Sequence, residues 1–309
     1  MKLVGAAILL LSATSLRAAT FYLTIAGLGG EPDYEQRFAM LATEIDSILK
    51  AAGTDAGIET LKGPAATREN VRGVLEKIAH EITAQDAFVV MLIGHGSFDG
   101  VDYKINLPGP DLSAGELAAL LDRVPAARQL VVNMTSSSGG AIEVLRKPNR
   151  VLITATKTGT ERNATVFARY WVEALRDPAA DVDKNETISA LEAFHYAQHK
   201  TTEYYDSQKR LATEHSMLED TGKGSGVRSP SPDNSQGLRA AQFPLVRLGA
   251  AKSLVDSPEK RKLLDKKESL ERQIDELKYA KTAMAPDEYR KQLTALLLEL
   301  ARTQGELDK

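Results

Sequence analysis

Ala87-Phe88-Val89-Val90-Met91-Leu92-Ile93, running directly into Gly94-His95-Gly96-Ser97, is the stretch on which the fold of this chain turns. Its unbroken apolar run fits a strand covered on both faces, as the inner strands of a parallel sheet are. On its N-terminal side, residues 21–25 form another short apolar run that ends at Gly27-Leu28-Gly29-Gly30. Residues 37–50 carry Phe38, Leu41, Ile45 and Ile48 at helical spacing, residues 57–61 read as a second strand, and Thr67 caps a helix bearing Val71, Val74, Leu75, Ile78 and Ile82. On its C-terminal side, Ser113 and Glu116 form a capping box before Leu117, Leu120, Leu121 and Val124. Strands at 130–132 and 151–154 follow, then a helix over 166–175. Strands alternating with helices predict an α/β layer structure with a mostly parallel sheet, whose chemistry belongs at the carboxyl ends of the strands.

Composition narrows the function. The 309 residues are 43% hydrophobic and 26% charged, with 39 basic against 42 acidic side chains. That balance lacks the basic excess of a nucleic-acid protein, so no nucleic-acid partner is expected. There is no cysteine, which removes disulfides, thiolate metal sites and any cysteine nucleophile. Lys2, an apolar run over 3–11 and a small-residue exit around Ala18 and Ala19 read as a signal peptide at 1–19. The run is too short to span a bilayer. The mature protein is therefore expected in the periplasm or secreted, with no membrane attachment.

Two strand ends carry chemical information. Residues 88–93 deliver His95, and residues 130–132 deliver Asn133-Met134-Thr135-Ser136-Ser137-Ser138-Gly139-Gly140. A histidine facing a small nucleophile beside glycine N–H groups is what acyl transfer needs. No acidic group stands out as an orienter for His95, although Asp99 and Asp102 lie on the same loop. This order of elements resembles the legumain–caspase group of cysteine peptidases (clan CD, C13-like). Gly94-His95-Gly96 is similar to its histidine motif, and residues 134–139 stand where its Ala-Cys-Glu-Ser-Gly segment lies. Residues 106–111 and 153–159 look like bacterial members of the group. The resemblance spans roughly residues 20–215. It implies a three-layer caspase/legumain-like sandwich, with His95 as base, Ser136 in the cysteine position, and the backbone of Gly96 and Ser136 at the oxyanion hole.

A hydroxyl is a far weaker nucleophile than a thiolate. The expectation is thus a pseudoenzyme: an exported peptidase-like protein, catalytically inactive, that binds a peptide or protein ligand. The alternatives are an active serine-nucleophile hydrolase on the same scaffold, and an interaction protein working through its C-terminal helices.

A second motif spans residues 181–192. Asp181, Asp183, Asn185, Thr187 (through its carbonyl) and Glu192 follow EF-hand-like ligand order, which predicts a calcium loop within the 20–218 domain. Glu186 stands where glycine normally makes the sharp turn. His195 and His199, spaced i, i+4, lack a third ligand and define no zinc site. The glycines at 27–30 do not complete a dinucleotide fingerprint, and no helix is expected to open directly at them.

Gly, Ser, Pro, Asp and Asn make up 13 of the 19 residues from 219 to 237, so a flexible linker is expected over 219–253. Residues 254–309 hold 12 basic and 12 acidic side chains, with Leu263, Leu270, Leu277 and Met284 every seven residues and Tyr289, Leu293, Leu296, Leu300 and Leu307 beyond Pro286. This predicts a helical hairpin or short coiled coil, with self-association through 254–309 as one role.

Overall fold

A computed structural model describes residues 18–53, 57–249 and 257–308. Residues 1–17 of the expected signal lie outside the described residues, as do 250–253 of the expected linker. Strands β1 (Thr20–Ala26), β2 (Ile58–Leu61), β3 (Ala87–Ile93), β7 (Arg128–Asn133), β8 (Arg150–Thr154) and β10 (Met217–Glu219) form one six-stranded sheet in the order β10-β8-β7-β3-β1-β2. All neighbours are parallel except β10, which enters antiparallel beside β8. The chain is therefore α/β with a mostly parallel central sheet.

Helices cover both faces. On one, α1 (Pro32–Ala51), α5 (Phe167–Ala174) and α6 (Ala190–Ser207) pack on Val89, Met91 and Ile93. On the other, α2 (Arg68–Glu81), α3 (Ala114–Leu121) and α4 (Ile142–Leu145) pack on Phe88, Val90 and Leu92. Every side chain of β3 is buried, the physical counterpart of its unbroken apolar run. Register aligns the strand ends: Ala26 pairs with Ile93, and Leu92 with Asn133. Gly94–Gly96 and Met134–Ser137 therefore leave the sheet at the same edge.

Several local expectations need correction. Helix α1 begins at Pro32, not near Arg37, because proline at the first turn has no N–H to lose and its φ is preset. A helix thus opens close behind the glycines. Gly29 donates its N–H to the Glu35 carboxylate (2.8 Å), and a Cβ on Gly27 would meet the Asn106 carbonyl at 2.5 Å, so these glycines permit close packing. Thr67 caps α2 as expected, through the Asn70 N–H (3.2 Å). Ser113 caps α3 through the Glu116 N–H (3.2 Å), but the Glu116 carboxylate binds Arg68 and Arg72 and leaves the box half made.

The stretch expected as a flexible linker is instead built into the body over its described residues 219–249. It contains α7 (Leu238–Ala241) and β11 (Pro244–Arg247), which pairs with β9 (Thr187–Ser189). Two buried carboxylates hold it. Glu219 accepts N–H bonds from Thr221, Gly222 and Gly224, and Asp220 accepts them from Gly237, Arg239 and Ala240. The turn-rich composition is real, but its backbone donors are satisfied by acidic side chains rather than by water.

A C-terminal helical hairpin follows: α8 (Pro258–Ala280), a short 3₁₀ turn at Lys281–Ala283, and α9 (Pro286–Leu307). Leu264, Leu270, Ile274 and Leu277 of α8 are buried. Arg247 pairs with Glu268 (2.7 Å), and the Tyr279 hydroxyl donates to the Gln236 carbonyl (2.8 Å), fixing α8 to the body.

Candidate functional site

The chain ends of β3 and β7 meet through one glycine. Gly96 donates its N–H to Ser136 Oγ (3.0 Å), and the same hydroxyl donates to the Gly96 carbonyl (3.1 Å). A Cβ on Gly96 would lie 2.6 Å from the Tyr103 ring and 2.8 Å from Thr135 Oγ1, so only glycine allows this approach. Ser136 is 1% exposed. The Gly96 N–H, expected in an oxyanion hole, is thus spent on the serine.

His95 is directed elsewhere. Its ring stands edge-on to Tyr34 (centroids 4.7 Å apart) and Phe38 (5.2 Å). Burial holds its pKa below the ordinary histidine value, opposed by the Gly29 backbone and the Glu31 charge. Among the described residues, the imidazole makes no hydrogen bond to Ser136. Nor do the loop aspartates orient it: Asp99 Oδ1 accepts the N–H groups of Val101 (2.9 Å) and Asp102 (2.8 Å) and closes a turn.

Residues 96–113 form a small antiparallel sheet that the sequence did not reveal: β4 (Gly96–Phe98), β5 (Tyr103–Ile105) and β6 (Leu112–Ser113). These strands are too short for alternation to stand out. The sheet lays Phe98 against Gly140 and Gly159, where an added Cβ would overlap the ring, and so covers the serine loop. Below the loop, Thr135 Oγ1 contacts the Tyr103 hydroxyl (2.6 Å) and donates to Asn133 Oδ1 (2.8 Å). The side chains of Asn133 and Ser137 are fully buried, and neither Asn133 Nδ2 nor Ser137 Oγ has a hydrogen-bond partner among the described residues.

Beside His95 lies a cavity of about 500 Å³ between α1 and α5, reached by Phe38, Gly94, Met134, Thr165, Arg37 and Arg169. Arg176 on its wall pairs with Glu44 (3.2 Å), whereas Arg37 and Arg169 lie over the rings of Tyr34 and Tyr170.

Sequence reasoning missed two acidic groups at this edge. Glu161 Oε1 meets His215 Nδ1 at 2.5 Å, while Oε2 accepts N–H bonds from Lys157 (2.7 Å) and His215 (3.2 Å). The Glu161 carbonyl accepts the Ser137 N–H (2.8 Å). Close by, buried Glu214 accepts the N–H groups of Val166 (2.7 Å) and Phe167 (3.2 Å) and the Tyr205 hydroxyl (3.0 Å). Burial pushes its pKa up to about 7 against those bonds, with Glu161 adding to the rise. No motif could show these contacts, because the pair is separated by 54 residues in sequence.

The loop at 181–192 is folded on itself. Asp181, Asp183 and Glu192 bring carboxylate oxygens within 4.8 Å of one another. Oxygens sharing one calcium lie within twice the Ca–O distance of about 2.3–2.6 Å, so this spread fits. Asp181 accepts the N–H groups of Asn185 and Glu186 (both 3.1 Å), and Glu186 adopts φ +65°, the left-handed turn that glycine would favour. Burial, then the Glu192 and Asp181 charges, push Asp183 up to about 6. Asn185 Oδ1 accepts the Thr187 N–H (2.8 Å), and the Asn185 carbonyl accepts from Lys267 of α8 (3.3 Å). Glu192 also completes a capping box with Ser189 on α6. His199 pairs with Glu203 (3.1 Å), and the His195 ring lies tilted beside that of Phe194, centroids 5.6 Å apart.

No protein-family model matches the chain, and no curated protein matches it. Among solved structures, the crystal structure of protein GSU0716 from Geobacter sulfurreducens is similar at 15% identity and a TM-score of 0.40, covering 60% of this chain and 89% of that one.

Proposed function

We propose that this is an exported, legumain/caspase-type peptidase-like protein whose His95–Ser136 pair is catalytically silent and whose cleft binds an extended peptide. The observation that carries the reading is the Gly96–Ser136 contact. It joins the two strand-end motifs at one sheet edge, and it also occupies both hydrogen-bonding roles of the hydroxyl. An imidazole held edge-on by Tyr34 and Phe38 is not placed to take that proton. The neighbouring cavity, apolar at Phe38 and Met134 with Arg37 and Arg169 on its rim, supports a binding role. The signal-like segment at 1–19 supports export. The acidic loop supports calcium, with Asp181, Asp183 and Glu192 supplying hard oxygen ligands and Asn185 and Thr187 adding carbonyl oxygens. There the ion would brace the loop.

The test combines binding with turnover. Fluorescent peptide libraries should bind saturably, and Arg169→Ala with Arg37→Ala should weaken that binding about tenfold or more. Peptide or ester cleavage that disappears in both Ser136→Ala and His95→Ala would overturn the silent reading. A second reading rests on α9, where Leu297 and Leu298 are 48% and 56% exposed: the hairpin pairs with a second copy of the chain.

A further inference from the structure

Two hollows along α1 belong together. The cavity of about 500 Å³ between α1 and α5 shares Met40, Glu44 and Arg176 with a shallower hollow of about 380 Å³ that continues to Ser47 and Ile48. Helix α1 supplies Arg37, Met40, Leu41, Glu44 and Ile48, spaced i, i+3, i+4, i+7 and i+11, so one face of the helix lines the whole trough. Across from it α5 presents Arg169, Glu173 and Arg176, again on one face. At about 1.5 Å of rise per residue, Arg37 and Ile48 lie about 16 Å apart along α1. That is the span of about five residues of extended peptide. Met40, midway along, is 51% exposed, a large apolar side chain open to a ligand.

Charge is spread unevenly along this trough. At mid-length Arg176 is paired with Glu44 (3.2 Å), and the Glu173 carboxylate accepts the Tyr196 hydroxyl (2.7 Å). At the end next to Gly94 and the sheet edge, Arg37 and Arg169 have no carboxylate partner among the described residues. Each lies over a tyrosine ring instead, and both are exposed. The uncompensated positive charge of the lining is therefore gathered at one end. That end is also closed. Phe38 walls it, and the rings of Tyr34 (5.7 Å) and His95 (5.2 Å) stand against Phe38. The Thr165 hydroxyl is spent on the Met134 carbonyl (2.6 Å), so the side-chain donors left for an anion there are the two guanidiniums.

We propose that the trough takes the C-terminal end of a peptide: a free terminal carboxylate at Arg37 and Arg169, with apolar side chains of the last residues against Phe38, Met40 and Leu41. This rests on the peptide-binding reading of the cleft and gives that peptide a direction and a terminus. Two unpaired cations at a blind end draw in the carboxylate first, and the chain then runs back along α1 toward Ile48. An internal acidic side chain would require the peptide to continue on both sides of the arginines, where Phe38 and the rings behind it leave no passage. Arginine suits the task, because its planar fork offers paired N–H donors to the two oxygens of a carboxylate. With both arginines exposed, salt screens the attraction, so affinity falls as ionic strength rises.

Fluorescence anisotropy tests it, with a library of N-terminally labelled pentapeptides, each made as the free acid and as its C-terminal amide. The free acids should bind at least about tenfold more tightly than the amides, and those ending in Leu, Ile or Phe more tightly than those ending in Ser or Asp. Arg37→Ala and Arg169→Ala should each shrink the gap between acid and amide, and Arg37→Lys should restore part of it. Ser47→Trp, at the far end, should weaken pentapeptides about tenfold more than tripeptides. Thermal melts confirm that each variant is folded. Amides that bind as tightly as acids, or affinity that follows an internal Asp or Glu, overturn recognition of the terminus while leaving peptide binding in place. Binding of dodecanoate with no peptide bound, or no binding of any peptide, overturns both.

Discussion

Glu214 shows how much one buried side chain can set. Its carboxylate holds the start of α5 through the N–H groups of Val166 and Phe167, and it is only 3% exposed. Burial raises its pKa to about 7, above the value of about 4.3 that it has unfolded. The folded state therefore keeps a proton that the unfolded chain gives up first. Stability from this group is fully present below the unfolded pKa, and it is lost as pH rises through about 7. Glu214→Gln should flatten that part of the stability curve, removing a fall on the order of 3 kcal/mol. Urea titrations between pH 4 and pH 8, run beside the wild type, check this; an unchanged slope would refute it. The comparison with wild type isolates Glu214 from Asp183 and Glu271, which burial also pushes up, to about 6 and about 7.

At the scale of elements, the acidic loop invites a direct measurement. Calorimetric titration with calcium should give a saturable signal that Asp181→Ala and Glu192→Ala each abolish. Glu192→Ala should also lower the melting temperature without calcium, because it dissolves the Ser189 capping box, worth about 1 kcal/mol. No heat at millimolar calcium would count against the loop as a cation site. The legible and illegible parts of the chain divide here by the range of the forces involved. Strand β3, the cap at Thr67 and the hairpin helices follow from local periodicity and local donors, and each stands close to where the residues placed it. The alignment of His95 and Ser136 on neighbouring strand ends was likewise readable from two apolar runs. What the residues concealed was contact at a distance. The bond between Gly96 and Ser136 depends on strand register, Glu161 finds His215 across two loops, and Glu219 and Asp220 order a stretch whose composition alone suggests mobility.

Over the whole molecule, burial is uneven. Strand β3 is enclosed completely, whereas α9 has only Thr303 and Leu307 buried. Hydrogen exchange should therefore find β1, β3 and β7 opening only with global unfolding, and α9 exchanging at least about 100-fold faster at low protein concentration. Equal protection of α9 would refute this gradient, and protection that grows with protein concentration would identify α9 as the contact between copies. Glu161 has a consequence for how this chain can be rewired. Its carbonyl, its two carboxylate oxygens and the histidine it grips fasten together the segments that follow β7 and β8 and the one that leads into β10. A circular permutant with new termini between 157 and 165 would cut this knot. Termini placed near Leu211, 90% exposed on the connection after α6, would leave it tied, so that bend is where the gene can be reopened or a reporter domain inserted.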